Sequence, residues 1–151
     1  MRIGIALLLL LAGCSGIRPY PTDSSGNITL RQQTEGHVSA TVHIHRVDAQ
    51  CRSGYQGSLS LDRPSVTIEL PFGQLSYLLV EFDTSSFFAG SRSTSFGVLI
   101  DPRAGSRYTV DVRYRESIYD VGVTEADART GQRRVLPRHD LGACRPGRDP
   151  G

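Results

Sequence analysis

Apolar and polar residues alternate one by one over several stretches of the chain. The alternation covers residues 38–45, 66–70, 108–115 and 119–123. Successive side chains of a β-strand point to opposite faces of the sheet, so each stretch predicts a strand with one buried face and one exposed face. Less regular apolar runs at 55–61, 75–83, 95–100 and 133–136 are further candidate strands.

Turn-forming residues separate these candidate strands. Pro or Gly occurs in segments 62–64, 71–73, 88–90 and 101–105, and both residues favour chain reversals. No window has the 3.6-residue period of an amphipathic helix. About seven or eight short strands at this spacing predict an all-β fold, an antiparallel β-sandwich of the transthyretin or immunoglobulin type.

The first residues of the chain follow a different pattern. Arg2 precedes an almost wholly apolar run from Ile3 to Leu11. Helical residues rise about 1.5 Å each, so this run reaches about 13 Å, whereas the hydrocarbon core of a bilayer is about 30 Å thick. The run is therefore too short for a stable transmembrane anchor. A positive charge before a short apolar segment is the layout of a secretory signal peptide.

Leu11-Ala12-Gly13-Cys14 follows the apolar run directly. This segment resembles the lipobox of bacterial lipoproteins, in which Leu and two small residues precede an invariant Cys. The resemblance implies cleavage before Cys14, a diacylglyceryl group on its thiol and a further acyl chain on its new amino group. One chain binds a membrane only marginally, whereas two or three hold it stably. Ser15 replaces the Asp associated with inner-membrane retention, so the resemblance implies an outer-membrane anchor that faces the periplasm.

The residues after the predicted cleavage site are rich in Pro, Gly and Ser as far as Asn27. We therefore predict three regions: a signal peptide at 1–13, a flexible linker at 14–28 and the β-sandwich domain at 29–151. Such a linker would reach about 40 Å when extended and would hold the domain clear of the lipid headgroups.

The charge of the chain is nearly balanced. It has 17 basic residues, all of them Arg, and 15 acidic residues, with a formal net charge of +2. This balance produces no long-range field that would attract nucleic acid, and we expect no nucleic-acid partner.

Three cysteines occur in the chain. With Cys14 lipidated, Cys51 and Cys144 remain, and two cysteines in an oxidising compartment usually pair. In the chain-entropy model a bridge across so long a loop stabilises the fold by about 4–5 kcal/mol. Two free thiols are the alternative.

His43 and His45 are the most specific local candidates for chemistry. Residues two apart on a strand share a face, so both imidazoles could bind one metal ion. A metal site needs at least one more ligand from a neighbouring strand, and the sequence does not identify it. The alternative is a pair of solvent-exposed histidines on a polar face. We predict no bound cofactor.

Two other pairs of side chains are candidates for binding a partner. Arg113 and Arg115 share a polar strand face and could bind an anion or another protein. Cross-strand ion pairs would explain them equally well, with Glu116, Asp120 or Glu125 as partners. Phe87 and Phe88 lie between two predicted strands, either as an exposed apolar tip that touches a partner or lipid or as a plug at one end of the sandwich.

The segment from Ala104 to Tyr108 is similar to the Ser-Gly-x-x-Tyr loop of the lipoprotein lysozyme inhibitors, which are also small disulfide-bonded β proteins. The resemblance implies an inhibitor that inserts the loop at Gly105 into a hydrolase. Ala104 replaces the Ser of that loop, and the Trp and Lys expected downstream are missing. A turn from Pro102 to Gly105 is the alternative explanation.

The sequence has no Gly-x-Ser-x-Gly elbow, phosphate loop or dinucleotide fingerprint. We therefore predict a non-enzymatic envelope lipoprotein that binds or scaffolds another envelope protein. Its length and anchor are similar to those of the transthyretin-like lipoprotein of the type VI secretion machine. The alternatives are an envelope metal-binding protein or enzyme that uses His43 and His45, and a lysozyme-type hydrolase inhibitor.

Overall fold

The alternating stretches form β-strands in the computed structural model, which describes residues 16–86 and 90–145. These residues contain nine strands: β1 (Ile28–Thr34), β2 (Val38–Val47), β3 (Ser53–Ser60), β4 (Ser65–Ile68), β5 (Ser76–Ser86), β6 (Gly90–Ile100), β7 (Ser106–Arg115), β8 (Ile118–Asp127) and β9 (Arg133–Leu136). A single-turn 3-10 helix, Leu141–Ala143, is the only helix among them. Within these ranges no helix is long and apolar enough to cross a membrane. The all-β prediction is confirmed.

Two sheets stack to form the predicted β-sandwich. The five-stranded sheet has the order β4-β1-β7-β8-β9, and the four-stranded sheet has the order β3-β2-β5-β6. Neighbouring strands are antiparallel except for β1 and β7, which run parallel. This is the one parallel pair among the described strands of a sandwich that is otherwise antiparallel, as predicted. It arises because the chain passes through the whole four-stranded sheet and β4 between β1 and β7.

One hydrophobic core fills the space between the sheets. Val42 and Ile44 of β2 and Val110 and Val112 of β7 are all buried in this core. Phe82 of β5 is fully buried, and its ring centroid lies 5.8 Å from that of Phe96. Burying each such side chain contributes about 1.5–3 kcal/mol. The core is therefore the main reason that the two sheets stay together.

β1 is the strand that the sequence did not predict. It pairs with β4 on one side and with β7 on the other, and Ile28 and Leu30 are fully buried. The polar residues Gln32 and Thr34 continue the same face. Because only two apolar residues carry the alternation, the period is too short to stand out from a polar loop.

The residues before β1 close one open side of the sandwich. We call residues 18–27 the N-terminal strap. The backbone N–H of Tyr20 donates to the Ser58 carbonyl of β3 at 2.9 Å, and the Ser58 N–H donates to the Arg18 carbonyl at 2.8 Å. The Asp23 N–H donates to the Thr67 carbonyl of β4 at 2.9 Å. Most of the predicted linker is thus hydrogen-bonded to both sheets, and only residues 14–17 precede the strap.

The residues after β9 close the opposite side. We call residues 137–145 the C-terminal strap. The Leu99 N–H, on the outer edge of β6, donates to the His139 carbonyl at 2.8 Å. Cys144 is bonded to Cys51, which follows β2, across a sequence separation of 93 residues. The predicted disulfide is therefore confirmed, and it ties the end of the chain to the four-stranded sheet.

Candidate binding face

The predicted histidine pair lies on the outer face of the four-stranded sheet. β2 occupies an inner position there, between β3 and β5. The register places His45 beside Tyr55 of β3 and Tyr77 of β5. The His45 ring centroid is 5.5 Å from that of Tyr55 and 6.0 Å from that of Tyr77. Three strands thus place an aromatic row, defined as Tyr55, His45 and Tyr77, across this end of the sheet.

The surroundings of His45 favour its neutral form. Partial burial, and then the nearby His43, lower the pKa of His45 below its ordinary value. A neutral imidazole keeps one nitrogen as a hydrogen-bond donor and the other as an acceptor. His45 therefore offers both functions to a bound group at neutral pH.

A second group of polar side chains runs beside the aromatic row. The Nε2 atom of His43 lies 3.0 Å from Oε2 of Glu81 on β5, and the Ser93 hydroxyl of β6 donates to Oε1 of the same carboxylate. We call His43, Glu81 and Ser93 the polar chain. The hydrogen bonds from Ser93 and then His43 lower the pKa of Glu81. Glu81 is consequently a charged, partly exposed carboxylate near the middle of this face.

The order of contacts in the polar chain does not suit nucleophilic catalysis. A serine nucleophile is activated when its hydroxyl is hydrogen-bonded to a base such as His, and an acid orients that base. Here the Ser93 hydroxyl donates to Glu81, and His43 contacts the other carboxylate oxygen. The acid lies between the two other groups, so His43 does not contact the serine hydroxyl as the base of such a triad would.

The structure does not bring a third ligand to the two histidines. Across residues 16–86 and 90–145, no three His, Cys, Asp or Glu side chains are grouped in a way that could hold a metal ion. His43 contacts Glu81, whereas His45 packs between two tyrosine rings. The two imidazoles share a face as predicted, but they take part in different contacts.

The C-terminal strap reaches the outer face at Tyr77. The Tyr77 hydroxyl donates to Oδ1 of Asp140 at 2.7 Å. Burial, and then this hydrogen bond, raise the pKa of Tyr77 to about 12. A Cβ atom at Gly97 of β6 would lie 2.5 Å from the Tyr77 hydroxyl. Glycine at position 97 therefore leaves the space that this contact occupies.

Sequence reasoning missed Tyr77, Glu81, Ser93 and Asp140 as residues of this face. A signal existed for the first two, because Tyr77 and Glu81 are four apart within the apolar run 75–83 and must share a face if that run is a strand. Ser93 and Asp140 had no such signal. Their place depends on the register of β6 and on the path of the C-terminal strap.

The other predicted site residues have different surroundings. Arg113 lies directly across from Asp120 on the outer face of the five-stranded sheet, and its Nε donates to that carboxylate at 3.1 Å. The Nε of Arg115 donates to Glu35 at 3.2 Å. Both guanidinium groups are therefore in ion pairs, as in the alternative explanation, although Glu35 was not among the partners predicted for Arg115. Phe87 and Phe88, like Cys14, lie outside the described residues.

The segment that is similar to the inhibitor loop forms a turn. The Ser106 N–H donates to the Arg103 carbonyl at 3.1 Å, and Gly105 has a φ of +80°, which glycine adopts without strain. Tyr108 is buried, and its hydroxyl donates to Glu125 at 3.0 Å. The aromatic residue of the proposed inhibitor motif is thus a core residue and does not project toward a hydrolase.

Comparison with known proteins adds little to this geometry. No family model matches the chain, and no curated protein matches it in sequence. A solved structure of transthyretin from Sparus aurata is 14% identical, with a TM-score of 0.45, and the match covers 66% of this chain and 97% of that chain. Sea bream transthyretin in complex with thyroxine is also 14% identical, with a TM-score of 0.42 and coverage of 76% and 99%. The likeness concerns the β-sandwich fold only.

Proposed function

We propose that this protein is a lipid-anchored lipoprotein of the bacterial cell envelope whose domain binds or scaffolds another envelope protein. The lipobox ending at Cys14 supports the anchor. The Cys51–Cys144 disulfide supports an oxidising compartment, because such bridges persist outside the cytosol. Ser15 favours the outer membrane, with the domain facing the periplasm.

The binding surface in this proposal is the outer face of the four-stranded sheet. The observation that carries it is the polar chain, in which hydrogen bonds from His43 and Ser93 hold a charged Glu81 in one position. A charged group that is already oriented loses little side-chain entropy when a partner binds it. Tyr77 and His45 lie further along the same face, and aromatic side chains with a polar atom are enriched at protein interfaces.

The outer face of the five-stranded sheet is a weaker candidate. Its charged residues form ion pairs across neighbouring strands, namely Arg31 with Asp111 and Arg113 with Asp120. Each carboxylate there is already matched by a guanidinium group, so a charged partner would have to replace an existing pair. On the four-stranded sheet, the partners of Glu81 among the described residues are a histidine and a hydroxyl.

This proposal is non-enzymatic, and the order of the polar chain supports that. Ser93 donates its hydrogen bond to Glu81, and the lowered pKa of that carboxylate makes it a weak base toward a serine hydroxyl. The groups of this face are arranged to accept and donate hydrogen bonds to a partner.

Two measurements test the proposal. Intact-mass analysis of the membrane fraction should find Cys14 at the amino terminus with its acyl chains, and C14S should lose them. Affinity capture from solubilised envelopes with the acylated protein should then recover an envelope protein that Glu81→Gln fails to retain. Asp111→Asn is the matched control, since it changes a paired carboxylate on the opposite outer face. An unmodified Cys14, or equal capture by both variants, would contradict the corresponding half of the proposal.

A further inference from the structure

The N-terminal strap leaves very little chain between the anchor residue and the folded domain. Arg18 is the first residue whose backbone is paired with a strand, through its carbonyl and the Ser58 N–H at 2.8 Å. Four residue steps separate it from Cys14, and extended chain spans at most about 3.6 Å per step, so the gap is at most about 14 Å. The headgroup layer of one leaflet is about 5–8 Å thick. A domain tied so closely to an acylated Cys14 cannot stand far from the headgroups.

The strap also determines which side of the sandwich is near the anchor. It runs along the outer edge of β3 and then reaches β4, so it closes the β3 and β4 side. The C-terminal strap leaves β9 and contacts the outer edge of β6 on the opposite side, before it crosses to Cys51. The side of the sandwich formed by β3 and β4 is therefore next to Cys14, and the side formed by β6 and β9 is away from it.

The side next to the anchor carries side chains that suit a membrane interface. Ile17 is 73% exposed, Tyr55 is 40% exposed, and Phe72 is 52% exposed. The Tyr55 hydroxyl lies 3.4 Å from the Arg18 carbonyl, which places Tyr55 beside the start of the strap. We call Ile17, Arg18, Arg46, Tyr55 and Phe72 the anchor-side flank. Exposed large apolar residues are costly in water, and aromatic side chains are enriched at the headgroup level.

The remaining members of the flank are positively charged. Arg46 and Pro71 line one cleft together with Tyr20 of the strap, so the loop that contains Phe72 also borders the strap. Arg18 and Arg46 are exposed, and neither forms an ion pair with another residue in the described ranges. Guanidinium groups beside apolar side chains match a surface of lipid phosphates above acyl chains.

We propose that the anchor-side flank lies against the headgroups of the same membrane that holds Cys14. This inference rests on the proposed function, because it requires Cys14 to be acylated. The partner of the flank is the lipid surface. The short connection to Cys14 keeps the flank close to that surface, so the lipid is present at a high effective concentration. In this orientation the edge of β3 points to the membrane. The outer face of the four-stranded sheet then stands sideways, where an envelope protein can reach the polar chain.

The chain contains no tryptophan, so a single introduced Trp reports its own position. Tyr55→Trp places the reporter on the flank, and Val135→Trp is the matched control on β9, where Val135 is 81% exposed. The full-length acylated protein is placed in phosphatidylcholine–phosphatidylglycerol vesicles, with and without bromine on the acyl chains near the headgroups. Because interfacial groups lie about 5–10 Å into this layer, Tyr55→Trp should lose about half of its emission in the brominated vesicles. Val135→Trp should keep its emission.

Equal quenching of the two reporters, or quenching of neither in protein that is bound to vesicles, would overturn the orientation. Phe72→Trp is a second flank reporter that keeps the test valid if Tyr55→Trp does not fold. Failure of the proposed function has a different signature. In that case intact mass shows no acyl chains, and the protein does not remain with the vesicles at all.

Discussion

The two straps close opposite sides of the same sandwich by different physical means. The N-terminal strap is held by hydrogen bonds distributed along its length, which join Arg18 and Tyr20 to β3 and Asp23 to β4. The C-terminal strap makes fewer such contacts, chiefly through His139 and Asp140, and ends in a disulfide. Neither strap contributes a large buried apolar residue to the core.

The difference shows what a polar segment needs in order to stay on a folded domain. Each hydrogen bond contributes a net stabilisation of only about 0.5–1.5 kcal/mol, which is less than the roughly 1–2 kcal/mol of entropy lost per ordered residue. Asn27 offsets this cost for the N-terminal strap, because its buried side chain binds the Leu70 backbone after β4 while its carbonyl accepts from the Tyr108 N–H of β7. The C-terminal strap has no comparable residue, and the covalent bond replaces it.

The largest expected effect comes from removing the disulfide. The double substitution Cys51→Ser with Cys144→Ser should lower the free energy of unfolding by about 4–5 kcal/mol, since the bridge closes a loop of 93 residues in sequence separation. Guanidinium unfolding of the domain measures this change. Wild-type protein in a reductant should behave like the double variant, and C14S should unfold like the oxidised wild type. A double variant as stable as the oxidised wild type would show that the C-terminal strap does not need its bridge.

An intermediate effect is expected at the end of the N-terminal strap. The Asn27 side chain donates to the Leu70 carbonyl at 2.7 Å and accepts from the Leu70 N–H at 2.9 Å, and both contacts are buried. Asn27→Ala leaves two buried backbone groups without partners, which should cost about 2–4 kcal/mol. Urea unfolding measures the loss.

Gln56→Ala is the control for this substitution. Its exposed amide bonds only to the carbonyls of Gly54 and Tyr55, and its removal should change the unfolding free energy by less than about 0.5 kcal/mol. Equal losses in the two variants would mean that the N-terminal strap is held by its backbone contacts and not by Asn27.

The smallest effect concerns the contact between the C-terminal strap and the aromatic row. Tyr77→Phe removes the hydrogen bond to Asp140 at 2.7 Å and should cost about 1 kcal/mol or less at pH 7, because the pair is partly exposed. The folded protein raises the pKa of Tyr77 from 10.0 to about 12. The resulting stabilisation is fully present below pH 10 and is lost as the pH rises through 12.

Unfolding measured between pH 9 and about 12 checks this pH dependence. The wild type should lose more stability over this interval than Tyr77→Phe. Tyr119→Phe is the control, because that tyrosine packs its ring 5.1 Å from Phe82 in the core. Identical pH profiles for the wild type and Tyr77→Phe would show that the contact between Tyr77 and Asp140 does not help to hold the C-terminal strap.

The sequence predicted the elements better than their connections. Alternation identified β2, β7 and β8 directly, and the turn residues at 101–105 marked the reversal before β7. The alternating pattern did not identify β1 because the last residues of this strand are polar, although Ile28 and Leu30 are fully buried in the core. A strand between two neighbours is stabilised by their backbone groups, and those are invisible in its own side-chain pattern.

Only part of the candidate binding face could be predicted from the alternation of apolar and polar residues. Period two alone places His43 and His45 on one face. The partners of His43 come from β5 and β6, and their positions depend on strand register. A shift of one residue would turn Glu81 into the core and remove the polar chain. The cysteine pair could be predicted only together with the lipobox resemblance, which assigns Cys14 to a lipid and leaves two thiols to pair.

The sequence by itself determined that the chain is built of half-buried strands and that two histidines share a surface. These properties follow from local period and from residue chemistry, so no distant contact is needed to infer them. Only the tertiary structure decided that β1 lies parallel to β7, how the two straps run and which side chains contact Glu81. Those depend on which strand edges and carbonyl groups remain free after the core has packed, and that information is distributed over the whole chain.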